Sequence, residues 1–383
     1  MRQLIYLDHA ATTPARPEVA QVMMDCMINT FGNPSSIHSY GRQARLVIDE
    51  ARAFIAKSIN ATENEIIFTS GGTEADNTAL FGVAMANKEK GNHIITTSIE
   101  HHAILHTCKQ LESEGFEITY LPVNECGEIS IEALKAAIKE STIVVSIMYG
   151  NNEVGTIQPI KEIGELLSES TILFHSDAVQ AYGTQPIDVK ELHLDLMSVS
   201  AHKINGPKGI GFLYAKNGVK FVPRQYGGEQ ERKRRAGTEN VAGIAGFKEA
   251  VRLAHEGLQG KIEKFEQFKQ RIAAIFVQEK IQFKINGEGA KALLPHVLNI
   301  SFPGTNVESM LVNLDLAGIA ASSGSACTAG SIDPSHVLVA MFGNGSERTT
   351  NSIRFSFGFG NTLDEIDEAA LRITKIVKKM AER

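Results

Sequence analysis

The chain has 383 residues, a formal net charge of −6, and 43% hydrophobic and 21% charged residues, the proportions of an ordinary globular protein with room for a sizeable core. That balance excludes an obvious nucleic-acid or membrane-surface binder. The opening "MRQLIYLDHAATTP" has no secretory apolar core, and no run approaches the roughly 18 apolar residues of a membrane span, so the cytoplasm is the expected location.

Near the start, "VAQVMMDCMI" reads as a helix carrying Cys26. From about residue 62 to 215, short apolar strand candidates follow in series: "EIIFTS", "HIITTS", "EITYLPV", "TIVVSIMYG", "TILFHSD", "LDLMSVSA" and "GIGFLYA". Amphipathic stretches separate several of them, such as "TEADNTALFGVAMANKEKG", "AILHTCKQLE" with Cys108, and "SIEALKAAIKES". The alternation predicts an α/β fold with a mostly parallel sheet covered by helices on both faces. Beyond residue 240 the pattern changes to the helices "AGIAGFKEAVRLAHEG" and "KIEKFEQFKQRIAAIFVQEK", the strands "HVLNISF", "GIAASSG" and "SIRFSFG", and a closing helix "LDEIDEAALRITKIVKKMAE". This predicts a second, smaller α+β domain with a soft boundary near residue 256.

In open sheets ligands bind beyond the carboxyl ends of the strands, and several motifs fall there. "FTSGGTEADN" sets Gly71, Gly72 and Thr73 between a strand and a helix, either as an anion cradle or as an ordinary turn capped by Thr73. "FHSDAVQ" ends a strand on Asp177, with Gln180 a turn later; the Asp can hold a protonated pyridine nitrogen or cap a helix. In "SVSAHKINGPKG", Lys203 follows Ser200 and His202 and is either a surface lysine or a Schiff-base lysine facing a pocket. "SIEHHAILHT" brings His101 and His102 after a strand, where either ring could stack on a planar cofactor or move protons. Arg354 in "SIRFSFG" suits a substrate carboxylate, or a surface ion pair. "QERKRRAGTEN" reads as a solvated loop, with docking of an acidic partner or RNA as the lesser alternative.

The cysteines Cys26, Cys108, Cys126 and Cys327 form no C-x-x-C pair, which argues against zinc or a disulfide scaffold. Cys327 stands apart in "SSGSACTAGS": glycines bracket it and no apolar pattern would bury it, so the segment reads as a mobile loop delivering a thiol, or as a tight turn that happens to contain one. Together these motifs supply the parts of a pyridoxal-phosphate enzyme acting on an amino acid, with a thiol that plain transamination does not need.

The ordered set "YLDHAATTP", "FGNPSSIHS", "TSGGTEADN", "EHHAILH", "YGNNEVGT", "HSDAVQ", "SAHKINGPKG", "RAGTEN", "SSGSACTAG" and "IRFSFG" resembles the successive motifs of the NifS/IscS-type cysteine desulfurases over nearly the whole chain. The resemblance implies a homodimer of fold-type I, class V aminotransferase architecture, with a seven-stranded, mostly parallel sheet. It implies a large domain over residues 15–256, and a small domain of residues 1–14 and 257–383 carrying the cysteine loop at about 322–333. It implies that Lys203 holds pyridoxal 5'-phosphate, that His101 stacks on its ring, that Asp177 pairs with the ring nitrogen and Gln180 with the phenolic oxygen. Gly72, Thr73, Ser200 and His202 would take the phosphate, with Thr238 reaching it from the neighbouring subunit. Asn152, Arg354 and Asn33 would position L-cysteine, and Cys327 would receive its sulfur as a persulfide. The "SACTAG" loop resembles the long-loop group, which implies delivery to iron-sulfur scaffold or tRNA-thiolating proteins. A selenocysteine lyase, another lyase or transaminase of the same fold, and a sulfur-relay module without catalysis are the alternatives. Cysteine thiolates need a base or a positive field to form, and His101 is the expected source.

Overall fold

The computed structural model describes residues 4–324 and 334–381. Seven strands form the main sheet: β2 (Ile66–Thr69), β3 (His93–Thr97), β4 (Glu117–Leu121), β5 (Thr142–Ser146), β6 (Leu173–Asp177), β7 (Leu196–Ser200) and β8 (Gly211–Ala215), after a two-residue β1 (Ile5–Tyr6). Their order is β2-β8-β7-β6-β5-β3-β4, with β8 antiparallel to both neighbours and the other pairs parallel. These are the seven stretches expected from the sequence. Strands β3, β5, β7 and β8 are buried along their whole length, because helices cover both sides of a parallel sheet and successive side chains need opposite apolar faces. Thus Ile94, Val144, Leu196 and Leu213 enter one core with the Gly72–Asn87 and His102–Ser113 helices. Their neighbours Ile95, Val145, Met197 and Phe212 enter the opposite core with the Ser39–Ser58 and Val241–His255 helices.

A separate apolar core surrounds the antiparallel sheet β12-β10-β9, formed by β9 (Lys284–Asn286), β10 (Val297–Ser301) and β12 (Ser352–Ser356). The Leu258–Gln278 and Leu363–Ala381 helices pack on it. Ile5 and Leu7 join this core, and β1 pairs in parallel with β11 (Ile319–Ala320). The short strands β1 and β9 carry too few residues for a periodic signal and were not legible in the sequence. Among the described residues no helix is long and apolar enough to cross a membrane.

The segment around residues 229–238 corrects the solvated-loop reading. Glu231 is buried, and its carboxylate takes two hydrogen bonds of 2.7 Å from the Arg52 guanidinium and one of 3.1 Å from the Phe68 N–H. Arg235 forms a second fork on Glu74, at 2.7 and 3.1 Å. To aim Glu231 inward the chain runs through left-handed backbone at residues 231–233, with φ of 48°, 58° and 65°, a conformation that costs about 1–2 kcal/mol per L-residue. Charge composition alone predicts exposure; the two carboxylate partners, distant in sequence, overrule it. Arg232 and Lys233 are exposed as expected.

Candidate active site

Strands β6 and β7 deliver their last residues, Asp177 and Ser200, to a cavity of about 390 Å³. Lining it are Gly72, Thr73, His101, Asn152, Asp177, Gln180, Ser200, His202, Lys203 and Arg354, together with Asp76 and Gly324. Ten residues singled out in the sequence therefore meet in one place.

Each is held by local structure. Asp177 ends β6, and its Oδ1 accepts the Val179 N–H at 2.9 Å. Burial pushes its carboxyl up to about 6, opposed by that N–H and by the charge of Lys203. Ser200 ends β7, and Lys203 closes the one-turn helix that follows. Its Nζ donates to the carbonyls of Ala10 at 2.5 Å and Ala11 at 2.9 Å. Gly71 is the N-cap of the Gly72–Asn87 helix without a side-chain cap, so Thr73 is free of the capping role the plain-turn reading gave it. A Cβ on Gly72 would come within 2.8 Å of Val179, so glycine keeps the helix start flush against the strand end where its free N–H groups face the cavity.

His101 is the N-cap of the His102–Ser113 helix, and its Nδ1 accepts the Ala103 N–H at 3.1 Å. The proton of the neutral ring therefore sits on Nε2. Burial, then the charge of Lys203, pulls its pKa down to about 4, so near pH 7 the ring is uncharged. This narrows the expectation that His101 supplies a base or a positive field to a thiol: the ring is no source of positive field. His202 is likewise pulled to about 4 by burial and Lys203, and its Nδ1 meets the Thr12 hydroxyl at 3.1 Å.

Arg354 is buried rather than a surface cation. It donates to Asp8 Oδ1 at 2.8 Å and to the Asn152 carbonyl at 3.0 Å, while its Nε has no hydrogen-bond partner among the described residues. One face of the guanidinium is therefore fixed and a further N–H remains for a ligand. Ser322 pairs with Arg354 through two backbone bonds of 3.2 and 2.6 Å, which ties the start of the cysteine segment to the carboxylate-binding candidate. Glu153, buried, stands between the two ends of that segment: Gly324, at φ +91°, lies against its carboxylate, and the Ser335 hydroxyl donates to it at 2.5 Å. Cys327 itself lies outside the described residues.

Two expected residues do not reach this cavity. Asn33 lies in an exposed turn, accepting the Ser35 N–H at 2.9 Å, and Thr238 is exposed on the segment clamped by Arg235. Two buried carboxylates were missed, Asp76 in the lining and Glu100 outside it. Asp76 is raised well above the usual range by burial and by Asp177, and Glu100 is pushed up to about 8 by burial. Neither carries a sequence signal, since both sit inside helix-start motifs that account for a carboxylate as a cap. Cys26 and Cys108 are buried, and Cys126 is half-buried. A larger cavity of about 530 Å³ also touches Lys203, but its lining includes no buried carboxylate to balance a cationic ring, so the chemistry belongs to the smaller one.

The class-V aminotransferase family matches residues 5–369. A Bacillus subtilis (strain 168) protein named provisionally as cysteine desulfurase IscS 1 is 59% identical over 98% of this chain and 99% of its own. Cysteine desulfurase IscS of Clostridium botulinum (strain Hall) is 49% identical over 100% of this chain and 96% of its own. Among solved structures, a NifS-like protein superposes with a TM-score of 0.92 at 35% identity, covering 98% of this chain and all of that one. With this cavity, this sheet and these relatives, the chain belongs to the class-V aminotransferase family, in its cysteine desulfurase branch.

Proposed function

We propose that the cavity binds pyridoxal 5'-phosphate and that the chain uses it to convert L-cysteine to L-alanine, passing the sulfur through Cys327. The observation that carries this is the pairing, in one cavity, of a buried carboxylate at the end of β6 with a lysine closing the turn that follows β7. The donor set fits the group. Thr73, Ser200, His202 and the helix start at Gly72 suit a phosphate. Among the described residues no guanidinium pairs with Asp177, and a protonated ring nitrogen would give it a cation that offsets its burial. Gln180 offers an amide N–H to a phenolic oxygen, and His101 would lie over the ring. When bound, the cofactor supplies an aldehyde for the substrate amine and a ring that withdraws electrons from its α-carbon.

The protein's own groups do the rest. Arg354 and Asn152 hold the substrate carboxylate, Arg354 keeping Asp8 as its fixed partner. Lys203 Nζ removes the α-proton, and His101, which lines the same cavity with its proton on Nε2, would be a donor there. The Cys327 thiolate attacks the substrate sulfur: the S–S bond forms as the substrate C–S bond breaks, and protonation of the remaining carbon chain gives alanine. A second copy of the chain would bring Thr238, and Asn33 with it, to the neighbouring cavity, in keeping with the exposure of both. Iron-sulfur scaffold or tRNA-thiolating proteins are the acceptors that fit a thiol borne on a glycine-rich segment, in the cytoplasm. We assign residues 15–256 to a large domain and 1–14 with 257–383 to a small one.

The test is mass spectrometry of the holoenzyme and of Cys327→Ser after L-cysteine, with alanine quantified in the same tube. One added sulfur on the Cys327 peptide, with alanine formed and both lost in the variant, is the expected result. Alanine formed equally by the variant would replace this function with that of a lyase releasing sulfur unaided, and a requirement for a keto acid would make it a transaminase.

A further inference from the structure

Gln180 lines the cavity, yet what fixes its amide comes from β10's side of the molecule. Its Nε2 lies 2.9 Å from the Ala10 carbonyl and its Oε1 lies 3.1 Å from His296 Nε2. The chemistry assigns every atom in this chain. A carbonyl only accepts, so the Gln180 nitrogen must face Ala10; Gln180 Oε1 only accepts, so His296 must donate from Nε2. The His296 ring is then neutral with a bare Nδ1, and among the described residues Nδ1 indeed has no hydrogen-bond partner. His296 is 6% exposed, and its burial holds the ring uncharged. The same Ala10 carbonyl accepts from Lys203 Nζ at 2.5 Å, so both side chains are indexed to one backbone atom.

We propose that His296 is a positioning residue: by donating to Gln180 Oε1 it locks the amide with its nitrogen toward Ala10 and leaves the second Gln180 N–H as the donor for a ligand oxygen in the cavity. Without that donor the Ala10 carbonyl alone orients the amide, and the half-turn that would present Oε1 to a phenolate is opposed by one contact instead of two. This rests on the cofactor reading above for the identity of that ligand, whereas the tautomer and the His296–Gln180 bond do not depend on it.

Two measurements test it. Long-range proton–nitrogen correlation spectra of the cofactor-free protein labelled at histidine, assigned by the signals missing in His296→Gln, should show His296 protonated on Nε2. A ring protonated on Nδ1 would overturn the proposal. Titration of pyridoxal 5'-phosphate into the cofactor-free wild type, His296→Leu, His296→Gln, Gln180→Leu and the His296→Leu/Gln180→Leu pair is then followed by absorbance. Loss of one oriented hydrogen bond predicts about five- to tenfold weaker binding for His296→Leu. Rescue to within about twofold is expected in His296→Gln, and no further loss in the double variant beyond Gln180→Leu. Wild-type affinity in His296→Leu, or losses that add in the double variant, would refute a positioning role and leave His296 as packing. If the wild type itself does not bind the cofactor, the functional reading falls, and the tautomer still decides the contact.

Discussion

Replacing Glu231 by alanine should expose how the segment bearing Thr238 is held. The substitution leaves the Arg52 guanidinium, with its side chain 6% exposed, keeping only its bond to the Ile66 carbonyl, and it removes the acceptor of the Phe68 N–H. Breaking one side of a buried ion pair costs about 3–5 kcal/mol. Alanine gives no relief at φ +48°, because the left-handed region still crowds its Cβ. Glycine does: it regains about 1–2 kcal/mol of backbone strain and gives back about 0.5–1 through its freer unfolded chain. Glu231→Gly should therefore be about 0.5–1 kcal/mol more stable than Glu231→Ala, although both fall well below the wild type. Urea denaturation of the holoenzyme at one fixed protein concentration, with matched slopes, reads all three. A Glu231→Ala loss under about 1 kcal/mol would show that the pair is not holding the segment. A glycine variant no better than alanine would remove the strain assigned to residues 231–233.

Asp177→Asn tests the buried carboxylate through pH. In the cofactor-free wild type, Asp177 keeps its proton up to about 6 while an unfolded aspartate loses it near about 4. Its contribution to stability is thus fully present below about pH 4 and is lost as pH rises through 6. The melting temperature of cofactor-free Asp177→Asn relative to wild type should climb across that interval, and a constant difference from pH 4 to 8 would contradict the assignment. Gly324→Ala forces a Cβ into the Glu153 carboxylate at φ +91° and should cost about 1–3 kcal/mol, part of which returns in Gly324→Ala/Glu153→Ala; equal stability of the two variants would remove Glu153 as the obstacle. Arg354→Lys keeps the charge but loses the fork shared between Asp8 and Asn152, so kcat/KM for L-cysteine should fall about 100-fold. A drop under about threefold would place the substrate carboxylate elsewhere.

What the sequence by itself determined was local or periodic. The seven strands follow from mostly apolar runs such as "TIVVS" and "GFLYA", buried at every position because both faces are covered. Lys203, Asp177, Ser200 and Thr73 were visible because each stands at or just past the end of such a run, the edge of an open sheet at which ligands bind. Only the tertiary structure decided the rest, because those features depend on partners far apart in the chain. Glu231 is buried by Arg52, 179 positions away, against everything its charged neighbours suggest. His296 looks like any strand histidine until β10 sets it 3.1 Å from Gln180. Glu153 joins Gly324 and Ser335 across the ends of the cysteine segment. Periodicity records which face a residue presents, but the partner that satisfies a buried charge is chosen by the fold, since desolvating an ionised group is tolerated only where a matching donor or acceptor is brought to it.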